Sequence, residues 1–300
     1  KNASQQQEQQ QQQAPPPVFV VASSGCFGAA LANGAEYTGD YGNDVTREAL
    51  VEFHSQKIHA IQRASQHNQK KNSDLALTHN NNNINNTIDA IAIETVPSRL
   101  ECQALAELLL KNTSISNDSK CSPLPPLAVW ISLACRNETE LNDGTPLIEA
   151  LSIFQTIPTD RLMAIGLNCC DSLHLPKLAA TVSRHCYDLM MTMQKNNTNA
   201  NTPPPPRRGL VLYPNSGEVW DSPTQTWKHG TGCTTPDEMA QRLIKVIQQL
   251  DQLWDEWCQQ DFVGNTTMPE KPRILVGGCC RTTPATISAL RTKVDHHLSS

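Results

Sequence analysis

Residues 162–170 read Leu-Met-Ala-Ile-Gly-Leu-Asn-Cys-Cys, an apolar run that ends in one polar residue and two cysteines. The run Leu162–Leu167 is short and apolar, which is typical of a strand buried on both faces. A helical pattern, Leu175–Met193, follows it. The two segments therefore predict one strand–helix unit, and its strand ends at an asparagine and two cysteines that could bind a ligand or take part in a reaction.

Five further apolar runs have the same character. They lie at Val18–Ala22, Ala90–Ile93, Leu127–Leu133, Leu210–Tyr213 and Ile274–Val276. The helical patterns that follow them are Thr46–Ala64, Pro97–Leu110, Thr145–Phe154, Pro236–Cys258 and Pro284–Val294. Six strand–helix units in series predict a parallel α/β sheet with right-handed crossovers. Six units fit an open, doubly wound sheet better than an eight-unit barrel, but no Gly-x-Gly-x-x-Gly phosphate loop follows any strand, which argues against dinucleotide binding.

Polar low-complexity segments interrupt this series. Residues 1–17 are rich in glutamine and proline, and similar internal segments cover about 66–87, 112–126 and 194–208. Such segments cannot bury enough apolar area to offset their chain entropy, so we expect them to be disordered. The internal ones fall between periodic segments, where long loops are tolerated. We therefore predict one domain over residues 18–300 with three loop inserts.

The charge balance excludes several classes of protein. The chain carries 24 Lys+Arg and 29 Asp+Glu, a net charge of −5, whereas a nucleic-acid scaffold would have a basic face. No run approaches the roughly 18 continuous apolar residues of a membrane span. The opening at Lys1 is neither a start methionine nor a signal peptide. We expect a soluble, cytoplasmic chain with neither a nucleic-acid nor a membrane partner.

Cysteines end two of the predicted strands. One strand runs into Asn168-Cys169-Cys170, and another runs into Gly277-Gly-Cys-Cys-Arg281. The carboxyl ends of parallel strands form the working face of both architectures, so these sulfurs should converge there. Converging thiolates suggest a soft-metal site, and tetrahedral sulfur coordination favours zinc. The alternative is a set of buried or redox cysteines that holds no metal.

Five segments in order carry a resemblance to a known family. They are Ser23–Tyr41, Ala92–Ser98, Gly166–Cys169, Tyr213–Glu218 and Gly277–Pro284. Together they resemble the signatures of the homocysteine S-methyltransferases, and the similarity extends from about Val18 to Val294. The third and fifth segments resemble the motifs that supply the family's zinc ligands. The fourth is most similar to the branch that uses S-methylmethionine or S-adenosylmethionine.

The resemblance implies a (β/α)₈ TIM barrel that moves a methyl group from a sulfonium donor to homocysteine, giving methionine. It implies that Cys169, Cys279 and Cys280 hold Zn²⁺ and leave a fourth position for the substrate sulfur. The six units here would be strands three to eight, so we predict an incomplete barrel that lacks the first two units. Cys26 stands where the family usually has proline, and Cys170 is expected to be a bystander.

The substrate-binding residues that follow from this resemblance are Glu94, Asn168, Asn215 and Ser216. Glu94 would bind the substrate ammonium, and the alternative is a helix-capping carboxylate before Pro97. Asn168 would orient the ligand loop, unless it is simply a turn residue. Asn215 and Ser216 would line the donor pocket, and loop capping is the alternative.

Other residues have simpler expected roles. Arg281 would either offset the charge of the metal site or form an ordinary salt bridge. His296 and His297 are expected at a solvated chain end, and Trp254 and Trp257 are expected to pack a helix face. Two other functions stay open: a catalytically silent zinc-binding fragment, and a redox protein that uses Cys279 and Cys280. The sequence does not distinguish the donors, exclude a selenium analogue of the acceptor or give the oligomeric state.

Overall fold

Six parallel strands form one sheet in the computed structural model, which describes residues 18–75, 88–111, 128–196, 207–221, 224, 226–262 and 269–299. The strands are β1 (Val21–Gly25), β2 (Ala90–Val96), β3 (Ala128–Leu133), β4 (Ala164–Asp171), β5 (Gly209–Asn215) and, after a hairpin of β6 (Trp220–Asp221) and β7 (Thr226–Trp227), β8 (Ile274–Val276). Their order is β1-β2-β3-β4-β5-β8, and each neighbouring pair is parallel. The predicted series of six strand–helix units is confirmed.

Seven α-helices connect the strands within the described residues. They are α1 (Phe27–Leu31), α2 (Arg47–Leu75), α3 (Arg99–Leu110), α4 (Leu147–Ile153), α5 (Leu175–Asn196), α6 (Pro236–Asp261) and α7 (Pro284–Ser299), with a 3₁₀ turn at Ala35–Tyr37. Helix α6 begins at a capping box in which Thr235 and Glu238 satisfy each other's backbone N–H groups. Helix α3 begins two residues later than predicted because Ser98, which follows Pro97, caps it by accepting from the Glu101 N–H.

The two faces of the sheet differ, and the difference identifies the architecture. Side chains such as Ile93, Ile131 and Leu167 point into the main core, which also holds buried residues of helices α2 to α7. The opposite face forms a separate cluster of strand residues alone: Ala92, Trp130, Ala164 and Val211. Helices on one face of a parallel sheet are typical of a barrel, whereas a doubly wound sheet carries helices on both faces. The preference for an open doubly wound sheet, based on the count of units, was therefore wrong.

One glycine shows how closely the strands approach on the inner face. A Cβ atom on Gly166 of β4 would lie 1.7 Å from the carbonyl oxygen of Val211 in β5. No side chain can occupy that position without moving the backbone, so the glycine is required where these two strands meet. It lies two residues before Asn168, at the start of the site described below.

Several predicted boundaries are corrected by the structure. The first strand is Val21–Gly25 rather than Val18–Ala22, and Val18 and Phe19 are 88% and 68% exposed. Helix α2 continues through Leu75, into the segment 66–87 that was predicted to be disordered. Arg208, at the end of the predicted insert 194–208, is buried, and its guanidinium donates to the carbonyl oxygens of Phe154 and Ile157.

The remaining predictions of disorder, for residues 1–17, 76–87, 112–126 and 197–206, lie outside the described residues. The sheet ends at β1 on one side and β8 on the other, and these two strands do not pair with each other within the described part of the chain. In the same part, no helix combines the length and the apolar composition of a membrane span.

Candidate active site

Three sulfur atoms meet at the carboxyl edge of the sheet. Cys169 lies in β4, and Cys279 and Cys280 follow β8. The Cys169 Sγ atom is 2.8 Å from that of Cys279 and 3.9 Å from that of Cys280, and the latter two are 4.0 Å apart. Among the described residues, these three cysteines are the group whose ligand atoms lie close enough together to hold one metal ion. The predicted convergence of sulfur from two strand ends is therefore present.

The spacing of the sulfurs can be tested against a zinc ion. Tetrahedral coordination with Zn–S bonds of about 2.3 Å places two thiolates about 3.8 Å apart. The separations of 3.9 Å and 4.0 Å match this value. The separation of 2.8 Å is shorter, although it is longer than the roughly 2.05 Å of a disulfide, so a shift of about 1 Å in one side chain would complete the geometry. The donor set is soft and fits zinc.

The three candidate ligands are more exposed than Cys170, which follows Cys169 in the chain. Cys169 and Cys279 are half-buried and Cys280 is exposed, so the sulfur group faces outward. Cys170 is 1% exposed and belongs to the main core. The structure thus places Cys170 away from the sulfur group, next to it only in sequence.

Hydrogen bonding within the group concentrates negative charge on one sulfur. Contacts with Cys169 and then with Cys279 lower the pKa of the Cys280 thiol to about 3. Contacts with Cys279 and then with Cys280 raise the pKa of the Cys169 thiol. Of the three thiols, that of Cys280 therefore loses its proton most readily, because its two neighbours lower its pKa.

Backbone hydrogen bonds to the β5 segment position Cys279 and Cys280. The N–H of Gly277 donates to the carbonyl oxygen of Leu212 (2.9 Å) and the N–H of Cys279 to that of Pro214 (2.8 Å). The N–H of Ser216 donates in turn to the carbonyl oxygen of Cys280 (3.2 Å). These bonds extend the β5–β8 ladder beyond the end of β8, and the Thr282 hydroxyl adds a bond to the Cys279 carbonyl oxygen at 2.7 Å. The cysteine pair is therefore fixed mainly through its backbone.

Strained backbone recurs at the strand ends of the site. Thr95, Cys169 and Arg281 have positive φ angles of 64°, 49° and 66°. Such conformations are costly for residues other than glycine and persist where the surrounding structure holds them. Asn168 supplies part of that support: its Oδ1 atom accepts from the Thr95 N–H at 2.7 Å, and its Nδ2 atom donates to the Thr95 hydroxyl at 2.8 Å.

Asn168 is 1% exposed, and both ends of its amide bind Thr95. These contacts favour the role of orienting the ligand loop over direct contact with substrate. Asn168 is therefore more than a turn residue, because its side chain connects β4 to β2 across the end of β3.

We expect Asn168→Ala to weaken zinc binding about 10- to 100-fold, because the residue that precedes Cys169 would lose the two hydrogen bonds that tie it to Thr95. Competition with a chromogenic chelator measures the affinity. Asn137→Ala is the matched control, since Asn137 makes comparable amide contacts with Thr139 and Glu140 in another loop. Equal zinc affinity in both variants would contradict the positioning role.

Glu94 lies near the carboxyl end of β2, in register with Gly25 of β1, and is half-buried. The Ser23 hydroxyl donates to its Oε1 atom. Helix α3 is capped by Ser98, so the alternative that Glu94 caps this helix is wrong. The carboxylate is thus free of a capping role and stands at the same end of the sheet as the sulfur group.

Asn215 and Ser216 tie the end of β5 to its surroundings. The Asn215 Nδ2 atom donates to the carbonyl oxygen of Cys169 at 3.4 Å, and its Oδ1 atom accepts from the Gly217 N–H. The Ser216 hydroxyl donates to the Glu218 carboxylate, and this serine is 2% exposed. The contacts are those of loop capping, and they join the two cysteine segments through β5.

The other singled-out residues have structural contacts. Arg281 forms a bidentate salt bridge with Glu218, with both N–O distances at 2.9 Å, and this pairing lowers the pKa of the Glu218 carboxyl. His297 lies 2.9 Å from Asp251, so it is less solvated than predicted, while His296 is exposed. Trp254 is buried against Tyr187, as expected for a packing residue.

A buried carboxylate network beside the site has no counterpart in the sequence-based prediction. Glu101 of α3 is fully buried, and its Oε1 atom lies 2.7 Å from both His54 Nε2 and the Phe27 N–H. The Tyr41 hydroxyl donates to Oε2. The local pattern Ser98-Arg-Leu-Glu101 is a capping-box signal, which predicts a Glu at a helix end but says nothing about burial.

Comparisons with known proteins agree with this geometry. The family model for homocysteine S-methyltransferase matches residues 1–294. A homocysteine S-methyltransferase of Zea mays is 28% identical over 92% of this chain and 58% of its own length, and a selenocysteine methyltransferase of Astragalus bisulcatus is 27% identical over 90% and 57%. The crystal structure of the Escherichia coli homocysteine methyltransferase in its metallated form has a TM-score of 0.52 and 26% identity, over 92% of this chain and 61% of that one. The fold is therefore of the TIM-barrel type, and the chain spans about 60% of the length of these relatives.

Proposed function

Because the chain belongs to the homocysteine S-methyltransferase family, we propose that it transfers a methyl group from a sulfonium donor to the sulfur of homocysteine and so forms methionine. The donor would be S-methylmethionine or S-adenosylmethionine. The observation that supports this proposal most is the group of three cysteine sulfurs at the carboxyl edge of the sheet.

We propose Zn²⁺ as the cofactor, held by Cys169, Cys279 and Cys280. When bound, zinc would deprotonate the homocysteine thiol, which is otherwise only a few per cent thiolate at pH 7 because its pKa is about 8.5. Cys280 is exposed, so substrate can approach the sulfur group from its side. Once the acceptor is a thiolate, neither a metal-bound water nor a basic side chain is needed to remove its proton.

The side chains around the sulfurs would then position the two substrates. Glu94 would accept hydrogen bonds from the homocysteine ammonium, with Ser23 holding the carboxylate in place. The donor is cationic and becomes neutral as its methyl group leaves, so alignment of the two sulfurs with the methyl carbon is the main requirement. Asn215 would act through the Cys169 carbonyl oxygen, to which it donates, and Asn168 would act through its bonds to Thr95, which hold the residue before Cys169.

One observation favours a second candidate, a catalytically silent zinc-binding fragment. The chain spans about 60% of its relatives, and β1 and β8 end the sheet without pairing to each other within the described residues. A closed barrel would surround the site on the side where the sheet between β1 and β8 is open. We propose that residues 18–300 form one barrel domain with polar inserts, whichever candidate holds.

Turnover separates the two candidates. We expect the zinc-loaded chain to convert homocysteine to methionine with one of the two sulfonium donors, as measured by mass spectrometry. Selenocysteine tested as an acceptor would show whether selenium replaces sulfur. A chain that retains zinc but makes no methionine, while a form extended by two strand–helix units does, would establish the silent fragment.

A further inference from the structure

A small cavity lies at the amino ends of the strands, at the opposite edge of the sheet from the sulfur group. Its volume is about 20 Å³, which gives room for one water molecule or one monatomic ion. Leucine, methionine and proline side chains supply its apolar walls. The other residues that line it are Thr159, Cys186, Arg207, Arg208 and Trp254. The cavity is thus bounded by helices α5 and α6 and by the segments that precede β4, β5 and β8.

Arg208 brings a buried positive charge to this cavity. It is 4% exposed, and its guanidinium donates to the carbonyl oxygens of Phe154 and Ile157 at 3.2 Å and 2.6 Å. Its Nε–H group is buried and has no hydrogen-bond partner among the described residues, and no carboxylate among them forms an ion pair with it. The segments 197–206 and 263–268, which adjoin this region in sequence, contain no aspartate or glutamate. A cation removed from water without a counter-charge is unfavourable.

The other titratable groups near the cavity do not supply a negative charge. Burial raises the pKa of the Cys186 thiol to about 12, so this thiol is neutral at physiological pH. Burial and then the charge of Arg208 lower the pKa of His185 to about 4, so the imidazole is neutral as well. Arg207 already has a partner, because it pairs with the Glu270 carboxylate at 3.1 Å. The charge of Arg208 therefore remains without a counter-ion.

Trp254 of α6 adds a second donor without a partner. It is 3% exposed, and its Nε1–H group is buried and forms no hydrogen bond with any described residue. A water molecule could accept from both donors, but its own two hydrogens would need acceptors, which the leucine, methionine and proline side chains do not supply. An anion only accepts hydrogen bonds, and it would also offset the charge of Arg208. The cavity therefore suits an anion better than water.

We propose that this cavity binds a monatomic anion of the size of chloride, which accepts hydrogen bonds from the Nε–H group of Arg208 and the Nε1–H group of Trp254. Arg208 directly precedes β5 and Trp254 lies in α6, so the ion joins a strand to a helix at the closed end of the core. The site is at the opposite edge of the sheet from the three cysteines. The inference is therefore independent of the proposed function.

The test compares chloride with a larger anion. We expect the urea midpoint of the full chain to rise with sodium chloride and to reach a plateau, and to rise less in sodium gluconate of equal ionic strength, because gluconate is too large for the cavity. Trp254→Phe keeps the ring that packs on Tyr187 but removes the N–H group, so it should weaken chloride affinity about 10- to 100-fold. Trp257→Phe is the matched control. Trp257 also packs on Tyr187 but does not line the cavity, so chloride affinity should be unchanged.

Two results would overturn the inference. One is equal stabilisation of the parent chain by chloride and gluconate, which would indicate a neutral occupant such as water. The other is a chloride affinity in Trp254→Phe equal to that of the parent chain. Bromide scatters X-rays anomalously and locates the ion directly: crystals of the parent chain soaked in sodium bromide should show a peak between Arg208 and Trp254, and bromide peaks at other positions alone would contradict the site.

Discussion

Replacing Cys279 with serine should lower the zinc content from about one ion per chain to below about a tenth. A serine hydroxyl is not deprotonated near neutral pH and is a poor ligand for a soft site, so two thiolates would have to hold the ion. Cys169→Ser and Cys280→Ser should behave in the same way, because all three sulfurs belong to one group. Mass spectrometry of the metal after dialysis at neutral pH measures the result.

Cys170→Ser is the matched control for these variants. Cys170 is adjacent to a proposed ligand, Cys169, but it is buried in the main core, so its replacement should cost some stability and leave the zinc content unchanged. The proposed ligand set would be wrong if Cys170→Ser lost zinc to the same extent as Cys279→Ser. It would also be wrong if any of the three variants kept a full complement of zinc.

The convergence of the cysteines could be predicted from the sequence because it depends on topology alone. In any parallel sheet the carboxyl ends of neighbouring strands meet at one edge, so the cysteines after two apolar runs had to lie near that edge. The side of the sheet that the helices cover could not be predicted in this way. Apolar runs such as Leu162–Leu167 are buried on both faces in either architecture, and the choice depends on packing between distant segments.

The contacts that support the site are long-range, which explains why they were missed. Glu101 meets His54 and Phe27, which are 47 and 74 residues away in sequence. Ser23 and Glu94 are separated by 71 residues. A pattern of periodicity within one helix identifies which face is apolar, but it does not show that a charged residue has buried partners on two other elements.

Glu101→Gln should reduce the free energy of unfolding by about 3 kcal/mol. The carboxylate accepts from the Phe27 N–H and the Tyr41 hydroxyl and contacts His54, all within the buried interior. A carboxamide has one acceptor oxygen and one NH₂ group, so at least one of these buried donors would face another donor and lose its partner. Urea denaturation followed by circular dichroism measures the change.

Glu107→Gln on the same helix separates this effect from a general loss of charge. Glu107 is on the outside of α3, where it pairs with Lys111 and Arg47, and exposed ion pairs contribute little to stability. Because Glu101 binds both Phe27 and Tyr41, which lie near the two ends of the segment 26–41 after β1, its replacement should also speed hydrogen exchange of the Phe27 amide. If Glu101→Gln unfolds no more easily than Glu107→Gln, the buried network does not fix the segment 26–41.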